Sequence, residues 1–388
     1  MKNTVHAPAE RAKSTDVINA RQLGFFLAFF LPCAKLLELP RLLAEYAGGD
    51  LLLPAFLGLI NEFFAIFALF LTVKKLKKSI FGAIAERFGN GFAKTLYALY
   101  ALFFLFSSFA PLLDAEKFSH AAFSDASPTF FAFAPFFILS GFLCTKSIKA
   151  IGRSADLTPV LFFVPLLGLF VMSVGQTDLT ALLPLFEKPI FHSLAASAKV
   201  YPNFMGGALL VPLIGGAYEY KEGDGKRILP AYGAGALITL FFLAVFYGIY
   251  GPLAAKEHYA VSKIAQYFPA LSIVGRIDLL LVYALTIVLF FYAALPLQLF
   301  VDCFVKATNI DKKPLISTVL NVVFFLLILF FNRHYDTLYE FFSITCAPVY
   351  LIFTIVLPQL SPLLLIGRKK KEEGRYQTNA KKEKSHAR

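Results

Sequence analysis

The chain contains no tryptophan, four cysteines, three methionines and six histidines in 388 residues, and only 16% of it is charged. Each shortage excludes something. Soluble domains are roughly half apolar and about a quarter charged. Here 58% of residues are hydrophobic and the mean hydropathy is +0.67, which places most of the chain in lipid. Cys33, Cys144, Cys303 and Cys346 fall in apolar stretches or near ends on one side, so no disulfide framework is expected. His6, His120, His192, His258, His334 and His386 lie in loops or termini at none of the usual ligand spacings, so neither a metal nor a cofactor is expected. Gly225-Lys226-Arg227 lacks the glycine spacing and the hydroxyl residue of a phosphate loop, and no nucleophile motif appears. An enzyme is not expected. The missing tryptophan leaves any interfacial aromatic belt to tyrosines such as Tyr46, Tyr97, Tyr201, Tyr250 and Tyr335. The 45 phenylalanines are read as lipid-facing and core packing.

What the chain has in quantity is apolar runs of membrane length. Ten are read, at 22–46, 50–73, 93–113, 128–147, 155–174, 200–220, 229–252, 274–304, 314–332 and 337–366. The sixth is the weakest, being rich in Gly and Pro. This predicts an all-α polytopic membrane protein. A polar leader (1–21) without a cleavable apolar core precedes a ten-helix membrane domain (22–366), and a basic tail (367–388) is expected to be disordered.

Positive charge sets the expected orientation. Of the 37 Lys and Arg residues, 28 fall in segments sharing the N-terminal side, including six between Lys74 and Lys94 and nine in the tail. Seven lie opposite (Lys117, Lys188, Lys199, Lys256, Lys263, Arg276 and Arg333), and Lys35 and Arg41 lie inside the first span. Both termini are therefore expected in the cytoplasm. The net charge of +12 becomes a topology label with some attraction for anionic lipid, and a nucleic-acid partner drops out. Among the loops, 79–91 opens on a capping Ser79 and sets Ile80, Phe81, Ile84 and Phe88 on one face, which predicts a short interfacial helix ending at Gly89. Residues 178–199 and 256–273 are long enough to form short helices or lids.

Two spans interrupt their own helical pattern. The first carries Pro32-Cys33-Ala34-Lys35 and then Glu38-Leu39-Pro40-Arg41; the sixth carries Gly206-Gly207, Pro212 and Gly215-Gly216. Proline removes a backbone bond and glycine weakens a helix, and freed backbone groups survive in lipid only against protein or a watery cavity. First and sixth are equivalent positions in a five-plus-five arrangement, the pattern of an inverted-repeat transporter holding ligand at broken helices near the midplane. Pro32, Cys33, Ala34, Lys35, Gly206, Gly207, Pro212, Gly215 and Gly216 are the candidate ligand-binding residues. The plainer alternative is that Pro and Gly are simply common in membrane helices.

Ionisable residues in lipid are the second signal, since each is costly unless paired or wet. Lys35 lies fourteen residues past Arg21, about 21 Å along a helix, and Glu62 twelve past Asp50, about 18 Å from the other side. The two can meet as a buried charge pair or gate. Alternatively Lys35 bonds Glu38 locally, and Arg41 bonds Glu38 or Glu45. Ser107, Ser108, Tyr283, Thr286 and Asn321 can line a pathway or serve as interhelical hydrogen bonds of roughly 1 kcal/mol. Arg276 and Asp278, two apart, are expected to bond different neighbours.

Asn19-Ala20-Arg21-Gln22 and the run from Leu39 to Asp50 resemble the opening of the spore germination permease family, the B subunits of GerA-type nutrient germinant receptors, allied to amino-acid/polyamine/organocation permeases. The segment from Gly141 to Asp156 is similar to that family's fourth-to-fifth connection. Asp178-Leu179-Thr180-Ala181-Leu182-Leu183-Pro184 is similar to its outer loop, and Gly275-Arg276-Ile277-Asp278 to its eighth span. The likeness runs through nearly the whole chain, carried by order and spacing. It implies a LeuT-like fold, a small nutrient such as an amino acid bound between the broken helices, and assembly with A-type and lipoprotein C-type subunits in the inner spore membrane. Where relatives have a small, Gly-containing stretch, this chain has Cys33-Ala34-Lys35, and the lysine either replaces a bound cation or blocks the site. Three functions follow for testing: a nutrient sensor, an H+- or Na+-coupled transporter of amino acids or organic cations, and a scaffold without ligand.

Overall fold

The computed structural model describes residues 18–76, 79–123, 129–183, 187–218, 220–261, 264, 277–331 and 334–365. The expectations for the leader, the basic tail, Arg276 and most of 262–273 lie outside them, as does the side chain of Asp278.

Helix α1 (Ala20–Lys35) ends at a break and continues, bent by 57°, as α2 (Leu39–Asp50). Then come α3 (Leu52–Leu76), α4 (Ile80–Phe88), α5 (Asn90–Ser107), α6 (Phe109–Phe123), α7 (Thr129–Thr145) and α8 (Lys149–Val171). Helices α9 (Ile190–Lys199), α10 (Gly206–Ala217), α11 (Asp224–Tyr250), α12 (Ile277–Thr308), α13 (Lys313–Phe331), α14 (Tyr335–Glu340) and α15 (Ala347–Leu365) complete the order. Among the described residues, seven helices are long and apolar enough to cross a membrane, or eight with α1–α2 taken as one bent span. Two shorter apolar helices, Phe133–Thr145 and Tyr201–Ile214, stand where the fourth and sixth spans are read. Among the described residues the extended pairing is a single bridge between Ile18 and Tyr218. The described spanning segments are thus helical, the form that satisfies most of the backbone within the segment, as lipid demands.

Local chemistry explains the departures from straight helix. Pro32 has no N–H to donate, and the chain widens into a π-turn at Phe26–Phe30 just before it. Gly235 of α11 packs into that turn, where a Cβ would stand 2.6 Å from the Leu27 carbonyl and 2.7 Å from Pro32. The third span is interrupted for one residue between α5 and α6, where Ser108 Oγ donates back to the Phe104 carbonyl at 2.7 Å and Pro111 follows. Helix α4 is the short helix expected within 79–91, although Phe88, read onto its apolar face, is exposed. Ser79 caps it by accepting from the Gly82 amide at 3.0 Å, Ile80, Phe81 and Ile84 are buried, and Gly89 ends it at φ +92°.

Packing gathers the helices round two apolar clusters. One is built from α1 to α5, α8 to α12 and α15. The other joins α6, α7, α12 and α13 through Leu112, Phe118, Phe136, Phe137, Leu297 and Phe324. Large apolar side chains such as Phe64, Leu102, Ile138, Phe142, Leu237 and Phe330 remain exposed on spanning helices, the arrangement expected when lipid is the solvent. The break of α1 lies where the two clusters meet, since Leu36 belongs to the first and Leu37 to the second.

Candidate functional site

The site is built on two interruptions. Helix α1 stops at Lys35, residues 36–38 turn, and α2 starts with Pro40 in its first turn. On the partner element, the chain runs through a short turn at Tyr201–Asn203 and the non-helical Phe204 before α10 begins at Gly206. Pro212, Gly215 and Gly216, expected to break the sixth span, instead lie within α10, and the interruption falls at 200–205. The glycines at the start serve close approach. A Cβ on Gly206 would stand 2.7 Å from Glu62 Oε1, and one on Gly207 would overlap the Thr354 carbonyl.

Lys35 and Glu62 meet between these interruptions. Lys35 Nζ donates to Glu62 Oε2 at 2.7 Å, and the side chains are 2% and 0% exposed. Glu62 Oε1 accepts the Gly206 amide at 2.7 Å, so the carboxylate caps the positive end of α10. Tyr232 on α11 lies with its hydroxyl 2.8 Å from Glu62 Oε2 and 2.9 Å from the Leu59 carbonyl. The Phe204 ring lies 5.4 Å from the ammonium. Next to Glu62, Asn61 Nδ2 donates to the Tyr201 hydroxyl at 3.2 Å, giving α3 a second hold on the same break. For buried charges this well partnered, mutual attraction and hydrogen bonds offset most of the penalty for leaving water.

The local partners proposed for Arg41 are also present. Its Nε donates to Glu38 Oε2 and its Nη1 to Glu45 Oε2, both at 2.9 Å. Glu38 Oε1 further accepts the Tyr259 amide at 3.3 Å and faces His258 Nδ1 at 3.4 Å, while the Leu37 carbonyl accepts the Ala260 amide at 3.2 Å. The 256–261 part of the loop read as a lid therefore rests on the α1 break. Tyr259 holds φ +55° and packs edge-on against Phe118. Burial first, then the carboxylates Asp114, Glu38 and Glu116, push the pKa of its hydroxyl up, so it stays protonated.

Beside the break lies a cavity of about 40 Å³ lined by Ala34, Leu37, Glu38, Ser107, Asp114, Asn203, Met205, Tyr292, Tyr339 and Tyr350, among others. A water occupies about 30 Å³ of liquid, and drug-sized ligands fill roughly 300–1,000 Å³. The space thus holds a few waters and no drug-sized ligand. Of the candidate residues, Ala34, Glu38 and Ser107 line it. Lys35 and Cys33 are buried, and Lys35 is turned to Glu62. Ser108 is occupied by Phe104. On α12 the cavity is reached by Leu289 and Tyr292, whereas Tyr283 is exposed and Thr286 half-buried. Asn321 Nδ2 donates to the Ser317 carbonyl, and Ser317 Oγ to the Gly141 carbonyl, a packing link between α13 and α7. Sequence reasoning missed Tyr232, Asp114, Tyr292, Tyr339 and Tyr350. Asp114 alone had a signal, standing one residue past the third apolar run.

Two facing helix breaks inside a polytopic helical bundle define a permease-type membrane protein rather than an enzyme. The solved structures agree: MhsT, crystallised in complex with L-phenylalanine, shares the fold with a TM-score of 0.57 at 16% identity, over 91% of this chain and 90% of that one. This is the LeuT-like fold anticipated above. The chain belongs to the spore germination protein family, whose pattern it matches over residues 17–357. No curated protein sequence matches it.

Proposed function

We propose that the chain is the membrane subunit of a spore germinant receptor, binding an amino acid or similar small nutrient between the α1 break and the start of α10. The observation that supports this most is the small cavity, with carboxylates and hydroxyls in its lining, at the meeting point of the two interruptions. In this reading the nutrient enlarges that cavity and shifts the α1–α2 angle, and the change passes to A-type and lipoprotein C-type partners. In this reading the protein sits in the inner spore membrane with both termini in the cytoplasm, an orientation supported by the 28-to-7 distribution of Lys and Arg.

A ligand screen on detergent-purified full chain tests it, because a compound that binds the folded state raises its unfolding temperature. A nutrient that stabilises the protein and triggers germination only when this chain is present supports the receptor. Robust ion-coupled uptake by reconstituted protein would replace it with a secondary transporter of amino acids or organic cations. No stabilisation by any nutrient would leave a scaffold.

A further inference from the structure

On one flank of the bundle, α3 and α11 part to leave a groove of about 480 Å³. Leu52, Leu53 and Phe56 line it from α3, and Leu237, Leu240 and Phe241 from α11. Phe56, Leu237 and Phe241 are exposed, so the groove opens sideways off the two helices, and it shares no lining residue with the small cavity beside the α1 break. Phe56 lies six residues past Asp50, and Phe241 and Leu237 lie nine and thirteen before Tyr250. At 1.5 Å per residue that sets them about 9, 14 and 20 Å along their helices from those ends. Such depths fall inside a hydrocarbon core about 30 Å thick.

The groove has one polar end. Asp50, the polar member of the lining, is buried where α2 meets α3 and accepts the Lys188 amide at 2.8 Å. The Lys188 ammonium stands at the same turn, 3.8 Å from where a Cβ on Gly48 would be. What fills the rest is decided by its chemistry. Water needs several polar partners, and an apolar cavity leaves it without them. A polar nutrient meets the same want, since ligand sites fix orientation with a few convergent polar groups. The volume is nonetheless of ligand size, roughly 300–1,000 Å³ being usual. A hydrocarbon chain matches the lining, needs no hydrogen-bonding partner and is the solvent at that depth.

We propose that this groove is a lipid site seating one acyl chain of a membrane phospholipid, with the head group at the Asp50–Lys188 end. Phe56 lies six residues before Glu62 and Leu237 five after Tyr232. The seated chain therefore separates the same two helices that the 2.8 Å contact of Tyr232 with Glu62 draws together, within two turns of it. The assignment needs only that the protein lies in lipid, and it stands or falls apart from the receptor reading.

The absence of tryptophan provides the test. Phe56→Trp puts a lone tryptophan at the groove, and Phe330→Trp puts one on an open flank of α13, where the native side chain is 77% exposed. Each full-length variant is reconstituted with phosphatidylglycerol carrying brominated acyl chains, which quench tryptophan on contact, and is then diluted into lipid-free detergent. Phe330→Trp is expected to recover nearly all of its fluorescence as loosely held lipid leaves, and Phe56→Trp less than half. Adding Leu240→Phe to the Phe56→Trp protein narrows the groove and is expected to bring recovery close to that of Phe330→Trp; Leu53→Phe does the same from α3. Unfolding temperatures show that each variant folds. Equal recovery of Phe56→Trp and Phe330→Trp would overturn the site, since lipid would then be held no better there than on any flank. Retained quenching in folded proteins carrying Leu240→Phe or Leu53→Phe would overturn the placement of the chain in this groove.

Discussion

Lys35→Met and Glu62→Gln, singly and together, test whether the charge pair is one unit. At 2.7 Å the two charges attract by about 6 kcal/mol if the effective dielectric is about 20. Desolvation offsets most of that, so the pair as a whole contributes little beyond what apolar residues would. Removing one partner is different, because the other is left buried and uncompensated at a cost of roughly 3–5 kcal/mol. In Lys35→Met the carboxylate keeps the Gly206 amide and Tyr232 but loses its cation. In Glu62→Gln the ammonium keeps only the Phe204 ring and a neutral amide. The double variant buries no net charge at the site, and its amide oxygen can still cap α10. Each single change is therefore expected to lower the unfolding temperature by about 6–10 °C, at about 2 °C per kcal/mol for a large chain. The double is expected to recover more than half of the loss. A thiol-reactive dye reads the transition well, because Cys33, Cys144 and Cys303 are buried in the fold and Cys33 lies two residues from the perturbation. A double variant that loses the sum of the two single losses would refute the coupling.

Tyr232→Phe removes a hydroxyl near the Glu62 carboxylate and is expected to cost about 1–2 kcal/mol by the same dye assay, with no loss of expression. Gly207→Ala drives a Cβ into the Thr354 carbonyl and is expected to abolish folded protein on size exclusion, whereas Gly168→Ala, with open space about it, leaves the elution unchanged. Because Lys35 already places an ammonium at the end of α1, exchanging sodium for potassium is expected to leave the affinity of a stabilising ligand within twofold; a tenfold loss would show a separate cation site. Cysteines introduced at Lys188 and Lys312 report orientation: an impermeant maleimide is expected to label the first and not the second in intact cells.

Much of this organisation is legible from local rules. Apolar runs locate the helices because a fixed rise per residue must cross a fixed thickness. The same rise places Lys35 and Glu62 at similar depth from opposite faces, and the structure brings them into contact. Ser79 and Gly89 bound α4 because their roles are settled within one turn. The sixth span was misread at Pro212, Gly215 and Gly216, which sit in unbroken α10. Glycine there has another use, since Gly206 admits a carboxylate and Gly207 a carbonyl from α15, a helix more than 140 residues away in the chain. Nor does any local pattern reveal Tyr232, which lies in a long apolar helix and matters only because α11 passes Glu62. On α12 the residues chosen by polarity, Tyr283 and Thr286, gave way to Leu289 and Tyr292, because helix rotation is set by packing against α5 rather than by composition.

The tethers on either side of the α1 break are unequal, and this bears on how a sensor would differ from a transporter. At the N-terminal end, Asp156 accepts Gln22 Nε2 at 2.9 Å and pairs with Arg21 at 3.2 Å. Gly152 lets the Gln22 side chain seat closely, and Ile18 pairs with Tyr218. At the other end, the loop at 258–260 holds Leu37 and Glu38 through contacts of 3.2–3.4 Å, one of them from half-exposed His258. Its Tyr259 sits at positive φ, a conformation that costs a β-carbon residue on the order of 1–3 kcal/mol. A ligand too large for 40 Å³ must displace one closure, and the strained, longer-bonded loop is the cheaper. On the proposed receptor reading, its release would free Leu37 and Glu38, which it holds directly, and leave the contacts of Asp156 in place. A transporter must break both closures in turn. A receptor needs only the first, and the differential ligand affinity required to shift its equilibrium is correspondingly smaller.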